Sequence, residues 1–385
     1  MPGPPRADRA RRGIAALAAV VLLALSSAHA ARPTGPWIAI EARPAAVPLL
    51  AGERSDGSVR LSFRNLLERP VRIHSVSFAW LAGEKPLRRD TPGEAFFRTD
   101  WLERSARLEP GRVLDWPGVC LENPPPRADR VRLSFTLVTR SGLSSRETTQ
   151  WVDLPLVPLP APVRLELPFA GLWRVTQGHG CRTNHRIGGH GGEYAWDFAA
   201  LDRRGRPSSG AEAMSRRNEE IAGFALPVLA PAAGRVVRVV NGLPDNVGLT
   251  DYPRRSLTEE RERPDVALGN YVVLDIGGGA YALLGHLQQG SISVAVGATV
   301  AAGEVVGRCG NSGNSILPHL HLQVMDRPDP TDPAVAGLPA TLLDYIELRV
   351  VGDGDGREVV ATDVEEGNPP EDVIVGPQVR IPEAP

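Results

Sequence analysis

The chain has 385 residues, 43 Lys and Arg against 45 Asp and Glu, and 42% hydrophobic residues. At roughly 100–200 residues per domain this length gives two domains and a core that needs no staples. The formal net charge of −2 leaves no basic excess to track a phosphate backbone, which excludes a dedicated nucleic-acid binder.

Arg6, Arg9, Arg11 and Arg12 precede an apolar stretch from Ile14 to Leu25, and Ala28-His29-Ala30 follows. Basic, apolar and A-x-A segments in that order predict a cleavable secretory signal over residues 1–30, cut after Ala30. The apolar stretch is about 12 residues against the ~20 that span a bilayer, so no stable membrane insertion is expected after cleavage. The expected location is secreted or periplasmic. Removal of the signal's four Arg and one Asp takes the formal net charge from −2 to −5.

Residues 31–156 read as a β-sandwich domain. Val131, Leu133, Phe135 and Leu137 alternate with Arg132, Ser134 and Thr136, and Val59, Leu61 and Phe63 alternate with Arg60 and Ser62. Period-2 runs of this kind, separated by Gly, Pro and Asp and without a helical period, fit a small sandwich, an immunoglobulin-like one being among the options. Nothing here points to catalysis, and His74 is expected to be structural or solvent-facing. A protein partner bound through this domain is a further option.

Pro155, Pro158, Pro160, Pro162 and Pro168 predict a Pro-rich linker over 157–168, because proline at this density resists helix and sheet interior alike. A β-rich second domain follows over 169–345. Leu226 to Val240 reads as two short strands around Ala233-Gly234, and Tyr271–Ile276 and Tyr281–Leu284 read as a hairpin about Gly277-Gly278-Gly279. Polar stretches at about 202–222 and 242–268 are expected to be long loops that shape a substrate groove. Residues 346–385 form an acidic, Pro/Gly-rich tail, expected to be mostly disordered. Within it Asp353-Gly354-Asp355-Gly356 resembles a calcium loop only until Arg357, which would repel the ion. The fold class is therefore all-β in both halves.

Six of the eight histidines, His179, His185, His190, His286, His319 and His321, lie in the second half, so chemistry is sought after residue 170. His319-Leu320-His321 on a strand would project both imidazoles from one face. Asp197 stands among Tyr194, Ala195, Trp196 and Phe198, where a carboxylate needs a compensating charge. Neutral imidazoles and a carboxylate suit zinc, whose catalytic sites use three protein ligands and leave a position for water.

Tyr281-Ala-Leu-Leu-Gly-His286-Leu287, then Val296-Gly297 through Val306-Gly307, Gly310-Asn311-Ser312-Gly313-Asn314-Ser315 and Pro318-His319-Leu320-His321 resemble the C-terminal signature of the lysostaphin-type zinc metallopeptidases, the LytM-like enzymes that cleave peptidoglycan peptides. The resemblance spans about residues 170–330. It implies one zinc ion (Zn2+) per chain, with Asp197 and His321 as metal ligands and His286 and His319 as unligated catalytic histidines. The usual short H-x-x-x-D is missing. His185 precedes Asp197 by twelve residues and His190 by seven. His185 is preferred as first ligand, since Gln177-Gly178 through Asn184-His185 is similar to a divergent branch with a longer loop; His190, among glycines, stays the alternative and is expected at a mobile loop tip. His179 is expected in the groove or exposed to solvent.

The implied reaction is metal-assisted peptide hydrolysis, with His319 as general base and His286 donating to the oxyanion or the leaving amine. If His185 and His321 meet on one ion, Cys181 and Cys309 come close, and a Cys181–Cys309 disulfide is expected. An exported zinc metalloendopeptidase acting on peptidoglycan peptides is the leading reading. A catalytically silent relative that regulates wall hydrolases by protein contact, and a zinc peptidase acting on another exported protein, are the alternatives.

Overall fold

A computed structural model describes residues 36–43, 47–49, 56–90, 107–141, 144–159, 161–179, 185, 190–202, 205, 217–247, 263–332, 334–351 and 358–378. The expected signal, most of the two polar loops and the Asp353–Arg357 motif lie outside these residues. Among the described residues no helix is long and apolar enough to cross a membrane.

The first half contains β1 (Ile38–Arg43), β2 (Val47–Leu49), β3 (Asp56–Asn65), β4 (Val71–Ala82), β5 (Lys85–Asp90), β6 (Arg107–Leu108), β7 (Val113–Glu122), β8 (Arg130–Ser141) and β9 (Ser144–Pro158). One sheet runs β1-β3-β7, and another runs β2-β9-β8-β4-β5 with β6 beside β4. Their inward residues make one core. Val131, Leu133, Phe135 and Leu137 are all buried, and Phe135 meets Phe63 of the other sheet edge-on at 5.1 Å. The alternation in sequence is thus the alternation of a pleated strand with one dry face.

The second half contains β10 (Val163–Leu165), β11 (Trp173–Gln177), β12 (Trp196–Ala200), β13 (Pro227–Leu229), β14 (Gly234–Val240), β15 (Asn270–Asp275), β16 (Tyr281–Leu287), β17 (Thr299–Val300), β18 (Val305–Arg308), β19 (Leu320–Met325), β20 (Ala340–Val351), β21 (Glu358–Gly367) and β22 (Ile374–Pro377). Eleven of them form one sheet in the order β10-β20-β22-β11-β12-β19-β16-β15-β14-β17, with β21 beside β20, while β13 pairs β18. The molecule is all-β, as its patterning predicts, with single-turn helices at Asn218–Glu220 and Pro264–Ala267. The hairpin around the three glycines forms as expected, Asp275 facing Tyr281.

Two segments differ from expectation. The Pro-rich stretch is not only a connection: β9 runs to Pro158, and β10 adds parallel to β20. Much of the acidic tail is sheet. β22 pairs both β20 and β11, which carries the chain's last described residues to within two strands of Asp197. β21 was hidden because nearly all its ten residues face solvent; backbone pairing with β20, not an alternating apolar face, makes it a strand.

Below the site, Trp173, Trp196, Phe198, Leu320, Leu322 and Tyr345 pack into the main core. Cys309 belongs to that core as a free thiol, so the expected Cys181–Cys309 bond does not form. Its side chain points into the apolar layer, where burial pushes its pKa up and keeps it an inert thiol. Cys120 is disulfide-bonded, and Cys181 lies outside the described residues. Thiol titration of the unreduced protein should therefore give no fast reaction in the native state and one thiol per chain, Cys309, after denaturation. Three thiols in the unreduced denatured chain would contradict the disulfide.

Candidate metal centre

Three neighbouring strands build the site by register. Asp197 on β12 stands directly opposite His321 on β19, and His321 stands opposite Gly285 on β16. Opposed residues in an antiparallel pair share a face, so Trp196, Phe198, Leu320 and Leu322 go to the core while Asp197 and His321 go to the other side. His319 and Gln323 follow at two-residue spacing on that same side.

The structure brings together His185, Asp197, His286, His319 and His321. His185 Nε2 is 3.0 Å from Asp197 Oδ2, and His321 Nδ1 is 2.9 Å from Asp197 Oδ1. His319 Nε2 is 3.6 Å from the same carboxylate. The His286 ring lies 4.6 Å from that of His319 and 5.6 Å from that of His321. His190 is elsewhere. It is half-buried with φ +62°, its carbonyl accepts from Gln323 Nε2 at 2.8 Å, and its ring is not in the ligand cluster. His179 is buried rather than exposed, lying on Trp196 at 3.9 Å and accepting at Nδ1 from Asn368 at 2.7 Å. Fixed behind β12, it braces the aromatic layer under Asp197.

The electrostatics follow from burial. Desolvation works to raise the Asp197 carboxyl, but the neighbouring His185 and His319 and the close side-chain contacts with His185 and His321 outweigh it and hold the group well below the usual carboxylate range. Desolvation likewise pulls the His185 ring down, and the Asp197 carboxylate more than compensates, leaving it raised. For His286 the balance goes the other way. Burial, reinforced by His319 and His321, outweighs the raising effect of Asp197 and the Ser312 carbonyl and keeps its pKa well below the ordinary imidazole value, so this ring is neutral. Its Nδ1 lies 2.8 Å from the Ser312 carbonyl, which can only accept; the proton is on Nδ1, and Nε2 is an acceptor. His319 is pinned the same way, with Nδ1 2.8 Å from the Leu317 carbonyl.

The arrangement is held by contacts that the sequence motifs did not show, and Asn270, Asn218 and Glu371 carried no signal in the sequence. His286 has φ +57°, a left-handed conformation that is costly for a non-glycine residue, at the irregularity between Asn270 and Val272 in the β15–β16 pairing. The kink turns its ring off the strand. Asn270, fully buried, donates to the Leu243 and Leu287 carbonyls at 2.7 and 3.0 Å, and its backbone N–H donates to Ser312 Oγ at 2.9 Å. Asn311 donates to Asn218 Oδ1 at 2.9 Å and accepts from Ser315 Oγ at 2.7 Å. The Gly310–Ser315 run is therefore the clamp that places the Ser312 carbonyl under His286. Glycine is required within it: Gly313 has φ +77°, and a Cβ there would lie 2.4 Å from the Gly269 nitrogen. From the C-terminal segment, Glu371 accepts from the Gly178 N–H at 3.3 Å.

The residues fit a metal ion. One donor atom each from His185, Asp197 and His321 lie within 4.8 Å of one another. Among the described residues the ion-pair partners of Asp197 are three imidazoles, with no Lys or Arg. Two nitrogens and one carboxylate oxygen are the protein donor set of a catalytic zinc site, and the rings of His286 and His319 lie beside them.

Residues 220–333 match the model of peptidase family M23. Over that segment the chain is similar to the M23 peptidases. The matched segment holds His286, His319 and His321, whereas His185 and Asp197 precede it. Similar solved structures include a mutant catalytic domain of a prophage-encoded M23 protein from Enterococcus faecalis, 19% identical, covering 45% of this chain and 93% of that one, with a TM-score of 0.27. The catalytic domain of the antimicrobial peptidase lysostaphin from Staphylococcus simulans is 20% identical over 40% of this chain and 80% of its own, with a TM-score of 0.23. A zinc-containing peptidase from Vibrio cholerae is 15% identical over 74% of this chain and 57% of its own, with a TM-score of 0.22. These likenesses are weak in geometry, and the resemblance to M23 peptidases stands on the matched segment. A search of curated proteins gives no match.

Gly313→Ala should destabilise the peptidase domain by about 3 kcal/mol, from left-handed strain and overpacking together. Denaturant unfolding measures this; an unchanged midpoint would show that the clamp yields.

Proposed function

We propose that the chain is an exported zinc-dependent endopeptidase that hydrolyses peptide bonds in peptidoglycan. The observation that carries this reading is the meeting of His185, Asp197 and His321 within ligand distance of one another, with two unligated histidines beside them. The M23 match supports a peptidase, and the sequence of residues 1–30 supports export.

Zinc held there supplies Lewis acidity toward the scissile carbonyl and a water ligand whose pKa is lowered to about 7. The chain's own residues handle the proton. His319, held through Nδ1 by the Leu317 carbonyl, presents Nε2 to the site and takes the proton of the attacking water. His286 was expected to donate to the oxyanion, but its Nδ1 proton is committed to Ser312 and its neutral ring leaves only an acceptor at Nε2. It therefore receives a hydrogen bond from the attacking water and orients it. The leaving amine takes its proton from His319, the ring that has gained one. Water is kept from the rear of the site by Trp196, Phe198 and Leu322, all fully buried.

His321→Ala should lose bound zinc and hydrolysis together, whereas His319→Ala should keep stoichiometric zinc and lose about 10²–10⁴-fold in turnover, the usual contribution of a general base. Metal analysis alongside mass spectrometry of digested peptidoglycan checks both. Equal zinc and equal digestion in wild type and both variants would overturn the assignment. An intact cell wall together with cleavage of another exported protein would move the substrate but keep the chemistry.

A further inference from the structure

Gln323 is 1% exposed and takes no part in the reaction described above. Its side chain spans two segments. Nε2 donates to the His190 carbonyl at 2.8 Å, and Oε1 lies 2.8 Å from His321 Nε2. The orientation of the amide is forced, because the His190 carbonyl can only accept a hydrogen bond and so must face the NH2 group. Oε1 is then left for His321. Since Oε1 can only accept, His321 Nε2 must carry a proton, and in the neutral ring Nδ1 is left with a lone pair. That nitrogen lies 2.9 Å from Asp197 Oδ1. A ring lone pair and a carboxylate lone pair at that separation repel unless a cation joins them.

We propose that Gln323 is a positioning residue that sets the tautomer of His321, fixing Nδ1 as the metal-binding atom. The same side chain ties strand β19 to the backbone at His190, between the preferred first ligand, His185, and Asp197. Residue 190 is left-handed at φ +62°, and so is Gly191 at φ +76°; a Cβ on Gly191 would lie 2.7 Å from Met325 Cγ. The loop thus sits tightly on β19, where Gln323 meets it. This inference rests on the metal reading of the site. It goes further by assigning to one amide both the orientation of a ligand and its tautomer. Partners of this kind, which accept from the far nitrogen of a ligating histidine, typically change metal affinity 10–100-fold when removed.

The test compares wild type with Gln323→Glu and Gln323→Met, with zinc as the ligand and a chromogenic chelator as competitor. Both variants lose the donor to His190, so both apo proteins should unfold at lower temperature by similar amounts. Zinc affinity should separate them. Gln323→Glu retains an acceptor for His321 and should stay within tenfold of wild type, while Gln323→Met should bind at least tenfold more weakly than Gln323→Glu. A purely structural role predicts equal zinc affinity in the two variants, and that result would overturn the inference. Nitrogen-15 spectra of histidine-labelled wild type need no variant to fold: a protonated Nε2 and metallated Nδ1 on His321 are expected, and the reverse would overturn it. Failure of wild type to bind zinc would instead remove the metal reading, and this inference with it.

Discussion

The Asp197 carboxylate is 5% exposed and meets His185 at 3.0 Å, His321 at 2.9 Å and His319 at 3.6 Å. A carboxylate taken out of water costs several kcal/mol unless charge or hydrogen bonds replace the lost hydration. Here the replacement comes from three imidazoles crowded on one carboxylate, and imidazole–imidazole proximity limits how many of them can be charged together. A divalent cation among the same atoms removes the conflict, since it satisfies the carboxylate and leaves the imidazoles neutral. Much of the surrounding construction serves to keep these groups together: the register of β12, β19 and β16, the aromatic layer beneath them, and the clamp below His286.

That construction is dominated by contacts distant in sequence. Asp197 faces a residue 124 positions later, and Ser312 fixes a ring 26 positions earlier. Two interlocked glycines, Gly269 and Gly313, both at positive φ, give the loops their close approach. The C-terminal strands complete the same sheet, so the acidic terminal segment belongs to the structural support of the site and not to a separate appendage. Two histidines outside the metal set have structural roles: His179 stacks on Trp196, and the His190 backbone anchors Gln323.

The strand patterning was legible because each core strand of the first half keeps one dry face, and the H-x-H pair was legible because a strand's period of two puts both rings on one side. Asp197 was legible as a polar residue among Tyr194, Trp196 and Phe198. What was not legible has physical causes. A left-handed His286 comes from an irregular strand pairing, which depends on a partner strand and leaves no local mark. Gln323 reads as an ordinary strand residue until its two partners are known. The strands after residue 350 form by pairing on a solvated edge, where no apolar alternation is needed. Cys309 stays a free thiol because nearness of a chain segment to the site does not decide which way a side chain points, and its thiol faces the core.

The central claim is that the buried carboxylate exists to share a divalent cation with His185 and His321. Crystals of the zinc-loaded protein, measured on both sides of the zinc absorption edge, test it most directly. One anomalous peak per chain is expected, bonded to His185, Asp197 and to Nδ1 of His321, with His190, His286 and His319 outside bonding distance. A peak bonded to His190 in place of His185, or no peak between Asp197 and His321, would contradict it.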